Sequence, residues 1–275
     1  MSPELLAPLM FTTLVVVLLA GFPVAFSLAA VAASFGVLGV VVGQFKSAFL
    51  LVMPLRVQGV FNSDNFLAVP LFVLMGLILE RTGVAENMLV ALGRLFGRLP
   101  GGLLYATIIV GAVLSAITGF VSASVITMGL IALPAMLKAG YDARLATGSI
   151  AAAGTLAQML PPSLVLIVLA EQVEVPLIDI FHAALLPSTI LVGLYLLFVF
   201  TAAMVYPRLA PAILPLAGHS RGRVWLQAAG AAGLPLGLIL TILASIYFGV
   251  ATPTEGGAIG VCGALLIGCL LYTSP

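Results

Sequence analysis

The chain has 275 residues, of which 63% are hydrophobic and 7% are charged, and its formal net charge is +1. A soluble domain carries about 25% charged residues, so this composition excludes a soluble enzyme, a nucleic-acid-binding protein, a disordered chain and a disulfide-rich scaffold. Long uncharged stretches without alternating polarity predict an all-α, polytopic membrane protein rather than a transmembrane β-barrel.

The N-terminal region, residues 1–64, is predicted to contain scaffold helices and an interfacial helix. The stretch from Leu5 to Phe45 is uncharged and long enough for two spans of about 20 residues. Pro23 separates the two spans, because proline lacks a backbone donor and restricts the residue before it. No basic segment precedes this stretch, so it is not typical of a cleaved signal peptide. Scattered charges from Lys46 to Asp64 favour a helix lying in the membrane interface, with an ordinary loop as the alternative.

The next predicted unit, residues 65–206, starts with a short apolar span and an amphipathic, basic segment from Glu86 to Arg98. The following stretch, Gly101 to Leu137, is uncharged and has a small, polar centre from Ile117 to Ser124. Without that centre, the arms have about 16 and 13 residues and extend about 24 and 20 Å, less than the hydrocarbon thickness of about 30 Å.

Basic residues flank both ends of this stretch, so the positive-inside rule places both ends in the cytoplasm. We therefore predict a re-entrant hairpin over 101–137 that turns near the middle of the membrane. Two short complete spans would also return to the same side, and only the arm length argues against them.

A broken helix is predicted over 145–170, where Pro161 and Pro162 interrupt an apolar stretch. Two successive prolines leave carbonyl groups unpaired, and such groups persist in a membrane only where they line a cavity or bind a ligand. An acidic outer loop and a span returning to the inside complete this unit. A cytoplasmic loop over 207–223, containing three arginines, then precedes a final unit, 224–275, with two apolar runs.

The two predicted breaks indicate a binding site. A broken helix offers carbonyl oxygens that suit Na⁺ and free N–H groups that suit a carboxylate. Hydroxyl oxygens also bind a hard cation, although tight helix packing is an alternative role for small polar residues. The candidate residues for cation or substrate binding are Thr118, Gly119, Ser122, Ser124, Gln158, Pro161, Pro162, Ser163, Thr252 and Thr254. The candidate Na⁺ ligands are Thr118 and Ser163.

Other membrane functions have weaker support. An intramembrane enzyme needs clustered acids, histidines or cysteines, but His182 is at a span boundary, His219 is in a loop and Glu255 has no acidic neighbour near its break. Neither a disulfide nor a metal site is indicated for Cys262 and Cys269. A permease of an ATP-driven system would need a coupling loop rich in Glu-Ala-Ala, which none of the inner loops resembles. A passive channel remains as an alternative.

Five motifs in order carry a resemblance to one family. They are Pro70–Gly76 followed by Glu80–Glu86, Leu133–Pro134, Gly140–Asp142, Leu160–Ser163 and Thr252–Glu255. From about Gly21 to Gly268, the chain resembles the DctM-type large membrane subunit of tripartite ATP-independent periplasmic (TRAP) transporters. Gly93–Arg98, the short hairpin tip and Gln158 resemble the branch labelled mannitol/chloroaromatic or 2-oxoacid type.

The resemblance implies an elevator-type ion-transporter fold with two inverted repeats, each with a hairpin and a broken helix. It implies import of an organic acid such as a dicarboxylate by symport with sodium, with Na⁺ as the coupling ion and no other cofactor. The implied partners are a small DctQ-type membrane subunit, a DctP-type periplasmic binding protein and the lipid bilayer of the bacterial inner membrane. A carrier or channel of the same group working without a binding protein is the alternative.

The chain departs from the family pattern at three places. The usual hairpin tip is Ser-Gly-Ser with a nearby Asp, whereas here Thr118, Gly119 and Phe120 form the tip and Ser124 lies near the expected Asp. A Gly-Pro pair often precedes the double proline, but Gln158 occupies part of that position. The family's large subunit has about 425 residues, so we expect this chain to lack most of the second repeat and to be inactive by itself.

Overall fold

The computed structural model describes residues 3–212 and 221–273, which form helices without a β-strand. Part of the predicted loop 207–223, including His219, lies outside these residues. The prediction of an all-α protein is confirmed. The helices are α1 (Pro3–Leu19), α2 (Val24–Val41), α3 (Ala48–Phe61), α4 (Asp64–Arg81), α5 (Val84–Phe96), α6 (Gly102–Thr118), α7 (Val121–Lys138), α8 (Ala143–Thr155), α9 (Leu164–Val173), α10 (Leu177–Val205), α11 (Arg221–Tyr247) and α12 (Pro253–Thr273), with a 3₁₀ turn at Leu156–Gln158.

Five of the helices in the described part of the chain are long and apolar enough to cross a membrane. They are α2, α7, α10 and the apolar parts of α11 and α12. Their exposed apolar side chains cover much of the surface, which a membrane accommodates and water does not. The chain is therefore a polytopic helical membrane protein, as its composition predicts.

The first of two structural units ends at Ser63 and contains α1, α2 and α3. The break between α1 and α2 falls at the predicted position, because α2 begins directly after Pro23. The segment containing Arg56 is helical in α3, so its loop alternative is excluded. The position of α3 relative to a membrane stays a prediction.

The second unit begins at Asp64 and is built around α6. Almost every residue of α6 is buried, because α4, α5, α7, α8, α10 and α11 surround it. Small residues let these helices approach closely. A Cβ built on Gly111 in α6 would lie 2.6 Å from the Cβ of Ala153 in α8. Close backbone approach of this kind stabilises helix association in a membrane, because lipid is as apolar as the helix surfaces and provides no hydrophobic driving force.

The break between α6 and α7 is shorter than the sequence predicts. It contains only Gly119 and Phe120, whereas Ser122 and Ser124 already belong to the first turns of α7. The hydroxyl groups of Thr118 and Ser124 pair with each other across the break, so they do not compete with the backbone hydrogen bonds of the two helices. The helices consequently have 17 and 18 residues, longer than the predicted arms, and α7 is long enough to cross a membrane. Arm length therefore does not separate a re-entrant hairpin from two complete spans, and the re-entrant position stays a prediction.

The two ends of the α6–α7 pair lie side by side, and we call this region the hairpin base. The Leu103 N–H donates to the Tyr141 hydroxyl at 3.3 Å, across the end of α7. The segment after α10 binds both ends, since Gly101 N–H donates to Ala210 O at 3.0 Å and Asp142 N–H donates to Leu209 O at 2.9 Å. The α6–α7 pair is therefore a hairpin whose base is fixed to the end of α10.

Tyr141 is a buried part of the hairpin base, and burial raises the pKa of its hydroxyl, with a smaller opposing effect of the Leu103 hydrogen bond. The hydroxyl therefore stays protonated at neutral pH. We expect Tyr141→Phe to lower the free energy of unfolding by about 1–2 kcal/mol, because the buried Leu103 N–H loses its acceptor. Thermal unfolding in detergent measures this change. Tyr206→Phe, at an exposed position, is the control and should unfold like the parent protein.

Candidate functional site

The tip of the hairpin is formed by the end of α6 and the start of α7. Gly119 has a φ of 64°, a left-handed conformation that ends α6 and is unfavourable for other residues. Across the tip, the hydroxyl oxygens of Thr118 and Ser124 lie 2.7 Å apart, and both side chains are buried. Two of the predicted site residues are thus paired at the end of α6.

The second break separates α8 from α9. The 3₁₀ turn ends at Gln158, and α9 starts at Leu164, so Pro161 and Pro162 lie in the intervening segment and are buried. Ser163 precedes α9, but its hydroxyl donates backwards to the Gln158 carbonyl at 3.1 Å instead of capping α9. The predicted broken segment is therefore a true interruption of the helix.

The two breaks meet in the structure. A Cβ built on Gly119 would lie 2.9 Å from Cγ and 3.3 Å from the backbone nitrogen of Leu164, the first residue of α9. On another side, α4 approaches the tip at Gly76, where a Cβ would lie 3.0 Å from the Ile117 carbonyl oxygen and 3.0 Å from Thr118 Cα. The tip is therefore held between α4 and the start of α9.

The helix ends at this junction present unpaired backbone groups of both polarities. No side chain caps the N-terminus of α7 or of α9, whose N-cap residues are Phe120 and Ser163. The first N–H groups of a helix carry partial positive charge, and the last carbonyls carry partial negative charge. The junction can therefore bind an anionic group at the N-termini and a cation at the carbonyl and hydroxyl oxygens, without a charged side chain.

The close approach of α8 to both hairpin helices keeps the junction together. Ser115 Oγ donates to the Ala153 carbonyl in the last turn of α8 at 3.2 Å, in addition to the Leu156 N–H that this carbonyl accepts at the end of the helix. In the same turn, Gly154 packs on the backbone and side chain of Val125. Larger side chains at the contacts of α8 with α6 and α7 would separate α8 from the hairpin.

The remaining predicted residues are placed less centrally. Ser122 and Gln158 are exposed beside the two breaks. Thr252 and Thr254 lie at the N-terminus of α12, where Glu255 accepts hydrogen bonds from the backbone and side chain of Thr252. Because Gly257 packs on Leu71 and Gly260 packs on Met75, α12 runs parallel to α4.

Gly257 lies opposite Leu71, so Thr252, five residues before Gly257, lies near the level of residue 66 of α4. Gly76, which contacts the hairpin tip, is about ten residues further along α4, which is about 15 Å at 1.5 Å per residue. The structure therefore brings together Thr118, Gly119, Ser124, Pro161, Pro162 and Ser163, but not Thr252 and Thr254.

Sequence reasoning did not single out three residues that contact the tip region: Gly76, Ser115 and Glu80. Gly76 ends a motif that contributes only to the resemblance, and Ser115 precedes the polar centre of the hairpin. Glu80 closes the apolar run of α4, and an acid at such a position is a signal for a functional contact. Its carboxylate accepts a hydrogen bond from Thr127 in α7.

Comparison with known proteins identifies related sequences. The sequence model of the family described as "Tripartite ATP-independent periplasmic transporter, DctM component" matches residues 11–274. The C4-dicarboxylate TRAP transporter large permease protein DctM of Pseudomonas aeruginosa is 30% identical over 208 residues, which are 76% of this chain and 47% of that protein.

Two further relatives align over nearly the whole chain. The isethionate TRAP transporter permease protein DctMQ of Oleidesulfovibrio alaskensis is 29% identical over 271 residues, which are 96% of this chain and 40% of that protein. The ectoine/5-hydroxyectoine TRAP transporter large permease protein UehC of Ruegeria pomeroyi is 28% identical over 274 residues, 98% of this chain and 60% of that protein. The chain spans about half the length of the relatives that it matches.

Proposed function

Because the chain belongs to the DctM component family of tripartite ATP-independent periplasmic transporters, a family of transporter permeases and not of enzymes, we propose that it forms part of a Na⁺-coupled importer of an organic acid. In this proposal, the junction between the hairpin tip and the start of α9 binds the cation and the acid. The substrate would enter from the periplasm across the bacterial inner membrane.

The contact between Gly119 and Leu164 is the observation that carries this proposal. It joins a helix C-terminus, two hydroxyl groups and an uncapped helix N-terminus at one place. Na⁺ is a hard cation that is bound by carbonyl and hydroxyl oxygens, and a carboxylate is stabilised by free helix N–H groups. Thr118 and Ser163 are the hydroxyl ligands that we assign to the cation.

Sodium coupling supplies enough free energy for concentration of an organic anion. One net positive charge that enters down a membrane potential of about 100 mV releases about 2.3 kcal/mol, equivalent to a concentration ratio of about 50. The chemical Na⁺ gradient adds to this value. Basic residues at the hairpin base, including Arg98, Lys138, Arg144 and Arg208, support a cytoplasmic position for that end.

The proposed partners are a small DctQ-type membrane subunit and a DctP-type periplasmic binding protein. A C4-dicarboxylate, isethionate and ectoine appear in the names of the relatives, so family membership by itself does not select the acid. The alternative is a carrier or channel that works without a binding protein. Uptake that persists when the binding protein is omitted would favour that alternative.

The test is uptake by proteoliposomes that contain the protein encoded by the whole open reading frame of this sequence. The small membrane subunit and the binding protein encoded by neighbouring genes are added. We expect uptake of a radiolabelled C4-dicarboxylate or another organic acid that stops when choline replaces Na⁺. Undiminished uptake in choline would contradict sodium coupling, and channel-like flux without accumulation would contradict a coupled carrier.

Substitution of the two hydroxyl ligands tests their assignment to the cation. We expect Thr118→Ala and Ser163→Ala to raise the Na⁺ concentration for half-maximal uptake about two- to twelvefold, because water replaces the hydroxyl at a net loss of about 0.5–1.5 kcal/mol. Ser122→Ala, at an exposed position beside the tip, is the matched control and should leave the Na⁺ dependence unchanged. Parental Na⁺ dependence in both alanine variants would remove these residues from the cation site.

A further inference from the structure

Glu80 is a partly buried acid whose carboxylate reaches from one helix to another. It lies in the last turn of α4, and its Oε1 accepts a hydrogen bond of 2.5 Å from Thr127 Oγ1 in α7. An acid at the end of an apolar helix is energetically unfavourable when partly buried unless it has a partner, so the contact with Thr127 requires an explanation beyond packing.

The Glu80–Thr127 contact closes a ring of contacts between α4 and the two helices of the hairpin. On α4, Gly76 and Glu80 lie one turn apart, and Gly76 contacts Thr118 while Glu80 binds Thr127. On α7, Ser124 and Thr127 also lie one turn apart, and Ser124 binds Thr118. We call these five residues the tip ring.

The tip ring fixes the rotation of α7 relative to α4. Thr127 and Ser124 share one face of α7, so a hydrogen bond that holds Thr127 on α4 also directs Ser124 towards Thr118. The paired hydroxyls of Thr118 and Ser124 in turn belong to the proposed cation site.

We propose that Glu80 is a positioning residue for the hairpin tip: through Thr127, its carboxylate holds α7 in the rotation that pairs Ser124 with Thr118. The inference rests on the proposed function only for the identity of the ion that the tip binds. The carboxylate acts by accepting a hydrogen bond and does not itself need to contact the ion.

A thiol reporter beside the tip tests the positioning role without a transport assay. The parent protein is the product of the whole open reading frame, in which Cys262→Ser and Cys269→Ser remove the cysteines of this sequence. Ala123→Cys supplies the reporter thiol, because Ala123 is half-buried next to Ser124. Inside-out vesicles in choline chloride are treated with a membrane-impermeant thiol reagent, and the labelling rate is measured. The same measurement in increasing NaCl gives the Na⁺ concentration for half-maximal protection.

We expect Glu80→Ala and Thr127→Val each to raise the labelling rate in choline at least about threefold, because each removes the hydrogen bond that holds α7 on α4. Because the two side chains share this one contact, their effects should not add. The double variant should label no faster than the faster single variant. Glu80→Gln and Thr127→Ser should label like the parent, because the amide oxygen still accepts and serine still donates the hydrogen bond. Glu86→Ala, which removes an exposed acid on α5, is the control and should also label like the parent.

Two results would overturn the positioning role. One is parental labelling of Glu80→Ala and Thr127→Val in choline. The other is an equal increase for Glu80→Gln and Glu80→Ala, which would assign the effect to the charge of Glu80 and not to its hydrogen bond. Absence of any Na⁺ protection in the parent would instead count against the proposed sodium site, and the labelling rates in choline would still decide the role of Glu80.

Discussion

Gly119→Val is expected to reduce Na⁺-dependent uptake at least about thirtyfold. The left-handed conformation at this position disfavours a side chain by about 1–2 kcal/mol. The added Cβ would also lie 2.9 Å from Leu164 Cγ, and overpacking of this kind adds about 1–3 kcal/mol. A combined change of about 2 kcal/mol or more corresponds to about thirtyfold, since each 1.4 kcal/mol is about tenfold.

Gly83→Val separates backbone conformation from crowding. Gly83 has a φ of 71°, similar to that of Gly119, but no atom lies within 4 Å of a Cβ built on it. The valine at this position should therefore affect stability through the backbone alone and leave the Na⁺ concentration for half-maximal uptake unchanged. Uptake by Gly119→Val at the parental level would show that the hairpin tip and α9 do not touch in the working transporter.

Gly154→Leu is expected to lower the stability of the folded protein strongly. The new side chain would enter the contact between α8 and α7, where the Val125 nitrogen lies 3.2 Å from a Cβ built on Gly154. Backbone atoms cannot rotate away as a flexible side chain does, so we expect a loss of about 3 kcal/mol, the upper part of the range for overpacking. The measurements are the thermal midpoint and the monodisperse yield in size-exclusion chromatography.

Gly148→Leu is the matched control in the same helix. Gly148 is exposed, and no atom lies within 4 Å of a Cβ built there. Leucine is also a better helix former than glycine, so this variant should be as stable as the parent or slightly more stable. If Gly154→Leu and Gly148→Leu had equal thermal midpoints, the close α7–α8 contact would not exist in the folded protein.

Much of the helical organisation could be predicted from the sequence because it depends on local chemistry. The composition predicts a helical membrane protein, and some of the prolines mark breaks between helices. Other prolines lie inside helices: Pro8, Pro54, Pro70, Pro134, Pro187 and Pro235. Pro23 separates α1 from α2, and Pro161 and Pro162 separate α8 from α9, as predicted. The five ordered motifs also determined the family, which the match over residues 11–274 shows.

The extent of the hairpin break could not be predicted from composition. A polar stretch of serines and threonines is compatible with a loop or with a helix whose hydroxyls bond to neighbours. Packing favours the helix, because the Ser115 hydroxyl forms a hydrogen bond with α8 and the Ser124 hydroxyl forms one with α6. As a result, only Gly119 and Phe120 remain outside the two helices.

The composition of the candidate site was likewise decided by the tertiary structure. The sequence supplied Thr118, Gly119 and Ser163 because each lies at a break that is visible in the residue pattern. It could not supply Gly76, and for Glu80 it offers only an acid at the end of an apolar run, since the contacts of both residues depend on how α4 packs against the hairpin. A sequence determines which residues can end a helix or stay in a membrane, whereas contacts between helices distant in the chain arise only from their packing.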